Sequence, residues 1–92
     1  MGNTIEVLIV EDDIRIAQIH EKFIEQIEGF KTIGMSHTVE EAKIWLDTIK
    51  PDLILLDIYF ADNLGTELID YIRQKDMDTD IILITAAAEV EI

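Results

Sequence analysis

The feature that constrains this chain most is an alternation. Short apolar runs of strand length are separated by segments whose apolar residues recur every three or four positions. The runs are Ile5 to Val10, Phe30 to Met35, Leu53-Ile54-Leu55-Leu56 and Ile81-Ile82-Leu83-Ile84. The first is continuously apolar from Val7, as a parallel strand buried on both faces would be. From Ile14 to Ile27 two interleaved sets, Ile14, Ala17, Ile24, Ile27 and Ile16, Ile19, Phe23, make a wide helical stripe that Gly29 ends. Thr38 with Glu41 three residues on spells a capping box, opening a helix through Val39, Ala42, Trp45, Leu46 and Ile49 that Pro51 closes. Asp62-Asn63-Leu64-Gly65 reads as a loop, and Thr66 to Lys75 as a helix with Leu68, Ile69 and Ile72 inward. Trp45, Phe23 and Phe30 are expected in the core. Strands and helices in strict alternation imply an α/β fold: a parallel sheet between two helical layers, joined by right-handed crossovers.

Composition narrows the function. At 92 residues a single domain is expected, and 49% hydrophobic residues with a mean hydropathy of +0.20 are too apolar for a disordered acidic tail. Twenty Asp and Glu against seven Lys and Arg leave a net charge of −13. Such a surface repels polyphosphate, so the expected partners are proteins or cations rather than nucleic acid. The absence of cysteine excludes disulfides, Cys-ligated zinc and thiol catalysis, and suits a reducing compartment, with the cytoplasm expected. No apolar run approaches the ~18 residues that span a bilayer, so neither a membrane span nor secretion is expected.

In sheets of this class chemistry sits at the carboxyl ends of the strands. Three of the four strands run into polar groups there: Glu11-Asp12-Asp13 after the first, Asp57 after the third and Thr85 after the fourth. A carboxylate directly after Leu-Ile-Leu-Leu has no capping or surface reason to be present. Convergence of Glu11, Asp12 and Asp57 would raise carboxyl pKa values or demand a cation, and hard oxygen donors point to Mg²⁺ or Ca²⁺, with Mg²⁺ favoured. Asp13 also reads as a plain helix cap. His20 and His37 have no partner at ligand spacing and read as packing or surface residues.

Taken together, Val7-Leu8-Ile9-Val10-Glu11-Asp12-Asp13, Pro51-Asp52-Leu53-Ile54-Leu55-Leu56-Asp57 with Gly65 eight residues on, and Ile82-Leu83-Ile84-Thr85-Ala86 resemble a bacterial two-component response-regulator receiver domain. The resemblance covers nearly the whole chain. It implies a flavodoxin-like sheet of strand order 2-1-3-4-5 and a phosphoprotein that is not itself an enzyme. Asp57 would accept a phosphoryl group from a sensor histidine kinase, and Thr85 would be the switch hydroxyl, with small Ala86 leaving it room. Mg²⁺ would be held by Asp12, Asp57 and the backbone carbonyl of Tyr59, with Glu11 acting through metal-bound water. Gly65 would permit a turn beside the site.

Two departures shape what is expected. Ala61 stands where the family usually has proline. The chain stops at Ile92, before the family's fourth helix, fifth strand with its lysine, and fifth helix, so residues 1–92 read as a C-terminally incomplete receiver without an output domain. Leu55-Leu56-Asp57-Ile58-Tyr59-Phe60 and Ile84-Thr85-Ala86-Ala87-Ala88-Glu89 are most similar to regulators of citrate and dicarboxylate uptake, which control transcription through a helix-turn-helix domain. DNA would then be met only through that domain. The competing class is an interaction module that dimerises without phosphorylation, and self-association is expected through the fourth strand or the apolar face of the first helix. A phosphatase of the haloacid-dehalogenase type would need a second Asp where Tyr59 stands.

Overall fold

The structure, a computed structural model, describes residues 4–57, 64–75 and 78–84. The elements follow one another as β1 (Ile5–Val10), α1 (Ile14–Glu25), β2 (Phe30–Ser36), α2 (Val39–Thr48), β3 (Leu53–Asp57), α3 (Leu64–Gln74) and β4 (Asp80–Ile84). All strand pairings are parallel, in the order β2-β1-β3-β4. This is the flavodoxin-like arrangement expected, through its fourth strand.

Side-chain alternation along each strand sorts the core into two layers. Leu8, Val10, Ile54 and Leu56 point to one face, where Val39, Ala42 and Leu46 of α2 and Leu68 and Ile72 of α3 bury them. Val7 and Ile9 point to the other, against Ala17 and Ile24 of α1. Trp45 and Phe30 are half-buried against these clusters. On the solvent side of α2 and α3, Lys43 Nζ lies 2.7 Å from Glu67 Oε2, and Asp47 Oδ1 accepts from Tyr71 Oη at 2.6 Å and Lys75 Nζ at 3.1 Å. The pairing of β1 with β2 slips between Val7 and Leu8, where Thr32 is followed by Gly34 in register. A Cβ on Gly34 would come within 2.7 Å of the Trp45 ring, so its absence lets the indole of α2 lie on the strand.

Both helix starts obey their sequence signals. Asp13 Oδ1 accepts from Arg15 N at 2.9 Å and Ile16 N at 3.4 Å. Thr38 Oγ1 accepts from Glu41 N at 3.0 Å, while Glu41 Oε1 takes the His37 N–H at 2.7 Å, one residue before the cap. Among the described residues, no helix is long and apolar enough to cross a membrane.

Three sequence readings are corrected. Helix α1 ends at Glu25 because its last turn tightens: Gln26 N and Ile27 N bond to the Phe23 and Ile24 carbonyls before Gly29 turns the chain at φ 89°. Helix α3 starts at Leu64, so Leu64 and Gly65 form its first turn instead of a loop. Phe23 is 62% exposed and outside the core. The buried line of α1 runs through Ala17 and Ile24, and Phe23 lies roughly 100° around the axis from Ile24.

Candidate functional site

Strands β1 and β3 are adjacent and in register, with Val10 opposite Leu56. The next residue on each, Glu11 and Asp57, therefore arrives side by side at the carboxyl edge. Both are buried, at 2% and 8% exposure. Glu11 is held from several sides: its N–H donates to the Ser36 carbonyl at 3.0 Å, its carbonyl lies 3.0 Å from His37 Nδ1, and its Oε2 accepts from Asp13 N at 3.0 Å. Its other oxygen, Oε1, is buried with no hydrogen-bond partner among the described residues.

A third group completes the cluster. His20 Nε2 lies 3.9 Å from Asp57 Oδ2 and is likewise buried without a hydrogen bond among the described residues. One oxygen from each of Glu11 and Asp57 and one His20 nitrogen lie within 4.8 Å of one another. The sequence assigns His20 a packing or surface role; the structure adds that its ring stands beside this cluster. Helical side chains lean toward the helix N-terminus, and α1 begins at this edge, so an imidazole two turns into the helix reaches back to it. The signal lay in the spacing Ala17, His20, Ile24, which puts the histidine on the inner face. His37 instead ties the end of β2 to the end of β1, a structural role.

Burial is the first cause that pushes the Glu11 carboxyl up to about 8; hydrogen bonding with Asp57 is the second, Asp12 adds to the rise, and the Asp13 N–H opposes it. Two carboxylates can hydrogen-bond only when a proton lies between them. Ionised together they leave Oε1 facing negative charge with no donor, so the pocket calls for a proton or a cation. The orphaned oxygen, the neighbouring carboxylates and the all-oxygen donor set they offer fit a hard divalent ion such as Mg²⁺.

Asp12 follows Glu11 at the same edge with its side chain exposed to solvent. Ile84 pairs with Asp57, so the fourth strand also ends at this edge. Thr85, which follows it, lies outside the described residues, as do Tyr59, Ala61 and Ala86. Gly65 sits in the first turn of α3.

The fold and its edge define the class first: a parallel α/β domain with buried acids at the strand ends, superposing on the response-regulator domain of Thermotoga maritima CheB with a TM-score of 0.83 at 26% identity, over 95% of this chain and 64% of that one. Residues 7–92 match the response regulator receiver domain family, and the chain belongs to it. It is 51% identical over 85 residues to the transcriptional regulatory protein CitT of Bacillus subtilis (strain 168), covering 92% of this chain and 38% of the relative. It is 38% identical over 87 residues to a probable C4-dicarboxylate response regulator, DctR, of Halalkalibacterium halodurans, covering 95% and 38%. Among solved structures, the MaeR response regulator bound to beryllium trifluoride superposes with a TM-score of 0.78 at 40% identity, over 89% of this chain and 67% of that one. The chain thus spans less than two fifths of the length of these curated relatives.

Proposed function

We propose that this chain is the phosphoryl-accepting part of a cytoplasmic, transcription-controlling response regulator, with Asp57 as the acceptor. The observation that carries the reading is the burial of Asp57 beside Glu11, whose Oε1 has no donor among the described residues and whose pKa is pushed up to about 8. An Asp57 oxygen forms a bond to phosphorus as the phosphorus–nitrogen bond of a kinase phosphohistidine breaks, and the imidazole leaves with that electron pair. Asp12, Asp57 and the Tyr59 carbonyl would hold Mg²⁺, with Glu11 behind them through water; the ion supplies charge neutralisation at the phosphoryl oxygens. Thr85, one residue past β4, would donate its hydroxyl to the transferred group. The names of the relatives support an output in transcription, in a longer protein that meets DNA through another domain.

Intact mass before and after acetyl phosphate with Mg²⁺ tests this. We expect the addition of one phosphoryl group, labile to hydroxylamine and absent from Asp57→Asn. A hydroxylamine-stable product, or one persisting in Asp57→Asn, overturns the assignment. A second reading, a module that associates without phosphorylation, is favoured by the exposed apolar residues Ile14, Ile19 and Phe23 of α1 and Ile27 just past its end. Association unaltered by acetyl phosphate supports it.

A further inference from the structure

We propose that Glu11, His20 and Asp57 form a binding site for a first-row transition-metal dication of the Zn²⁺ kind, set apart from an all-oxygen Mg²⁺ site by its imidazole ligand. Three observations meet here. One oxygen of each carboxylate and one nitrogen of His20 already lie within 4.8 Å of one another. Glu11, 2% exposed, is anchored through Oε2 by the Asp13 N–H, and its Oε1 remains without a partner among the described residues. His20 Nε2 is buried, 3.9 Å from Asp57 Oδ2, and makes no hydrogen bond among the described residues. Two buried polar atoms left without hydrogen bonds cost free energy, and an ion between them removes that cost for both.

The donor set selects the metal. Mg²⁺ keeps oxygen ligands and gains little from imidazole, whereas Zn²⁺ and its neighbours bind imidazole well. Two carboxylate oxygens and one nitrogen are a three-ligand set that leaves a further position open for water. With bonds of about 2.0–2.2 Å, donors around a tetrahedral ion sit roughly 3.3 Å apart. His20 Nε2 and Asp57 Oδ2 stand 3.9 Å apart and all three donors within 4.8 Å of one another, so binding would draw them together by about 1 Å. An ion held here takes Glu11 and Asp57 away from the proposed Mg²⁺ site, so it competes with the Mg²⁺ that supports phosphoryl transfer. That consequence rests on the proposed acceptor role of Asp57; metal binding does not.

The test titrates the full chain with Zn²⁺ and separately with Mg²⁺ near neutral pH by calorimetry, while ¹⁵N resonances of both histidine rings are followed. We expect His20→Asn to weaken Zn²⁺ binding by about tenfold or more and to change Mg²⁺ binding by less than about twofold. The His20 Nε2 resonance should move with Zn²⁺ and the His37 ring should not. Unchanged Zn²⁺ affinity in a folded His20→Asn variant, or a shift at His37 alone, overturns the proposal. Should that variant fail to fold, the His20 resonance of the unaltered chain decides. Zn²⁺ binding through His20 in a chain that takes no phosphoryl group sustains this inference and removes the acceptor reading. Phosphorylation of Asp57 with no Zn²⁺-dependent shift at His20 does the reverse.

Discussion

On the face shared by α2 and α3, Leu8, Val10, Ile54 and Leu56 are buried together with Val39, Ala42, Leu46, Leu68 and Ile72. On the opposite face, among the described residues, α1 is the one helix that buries Val7 and Ile9, against Ala17 and Ile24, while Ile14, Ile19, Phe23 and Ile27 stand half exposed or more, and Ile82 of β4 nearly so. The difference follows from widths. A helix with its side chains is about 10 Å across and strands are about 4.8 Å apart, so one helix shields about two strands. Two helices close a face of four strands; α1, packed on β1 and β2, leaves the β3 and β4 side of its own face open among the described residues.

The largest effect should therefore come from emptying the closed face. Ile54→Ala removes a fully buried side chain between α2 and α3 and is expected to cost about 2–5 kcal/mol in urea unfolding. Leu55→Ala, one residue along and facing α1, removes a side chain that is only partly buried and should cost clearly less. Equal losses would break the contrast between the faces.

A second effect, of no more than similar size and shared by both faces, should come from Glu11, which follows the strand that carries side chains into both layers. Its folded pKa of about 8 lies above the ordinary 4.5, so between those values the folded state holds more protons than the unfolded one. Stability should accordingly fall as pH rises from about 4.5 to about 8. At about 1.4 kcal/mol per unit of pKa difference, the loss is on the order of a few kcal/mol. Glu11→Gln should flatten that slope, and Mg²⁺ should oppose it in the unaltered chain. Thermal melts across this range check both. A flat profile, or one rising with pH, would show that Glu11 carries its charge at no cost.

How much of this the sequence disclosed depended on how local each feature is. The strands were legible because a run such as Leu53 to Leu56 carries its own signal. The pairing of Glu11 with Asp57 was legible through the strand order that the family resemblance implies, which sets the carboxyl ends of the first and third strands side by side. His20 was not, since its reach to Asp57 depends on the direction in which α1 leaves the edge and leans on the sheet. The fit of Trp45 over Gly34 was hidden for the same reason: it joins elements whose relative placement no local pattern states. Nor could the spacing of Lys43, Asp47, Glu67, Tyr71 and Lys75 show that the solvent sides of α2 and α3 would pair. The stripe of α1 was read correctly as apolar and wrongly as buried at Phe23, because periodicity reports a side chain's direction and not whether anything stands there.

The smallest effect on stability, and the sharpest test of the open face, is expected from Phe23→Ser. Phe23 is 62% exposed, so its removal should change unfolding free energy by no more than about 0.5 kcal/mol. Its effect should appear in association instead. The net charge of −13 drives copies apart, but salt screens that repulsion over about 10 Å at 0.1 M while apolar attraction persists. Sedimentation of the unaltered chain should therefore show association growing with salt, and Phe23→Ser should weaken it. Ile44→Ser supplies the control: Ile44 is at least as exposed but stands on α2, whose inner face is closed, and its loss should leave association unchanged. A large stability loss from Phe23→Ser would mean that the α1 face is covered in solution, and equal effects of the two variants would mean that exposure alone, without an open face behind it, drives the chains together.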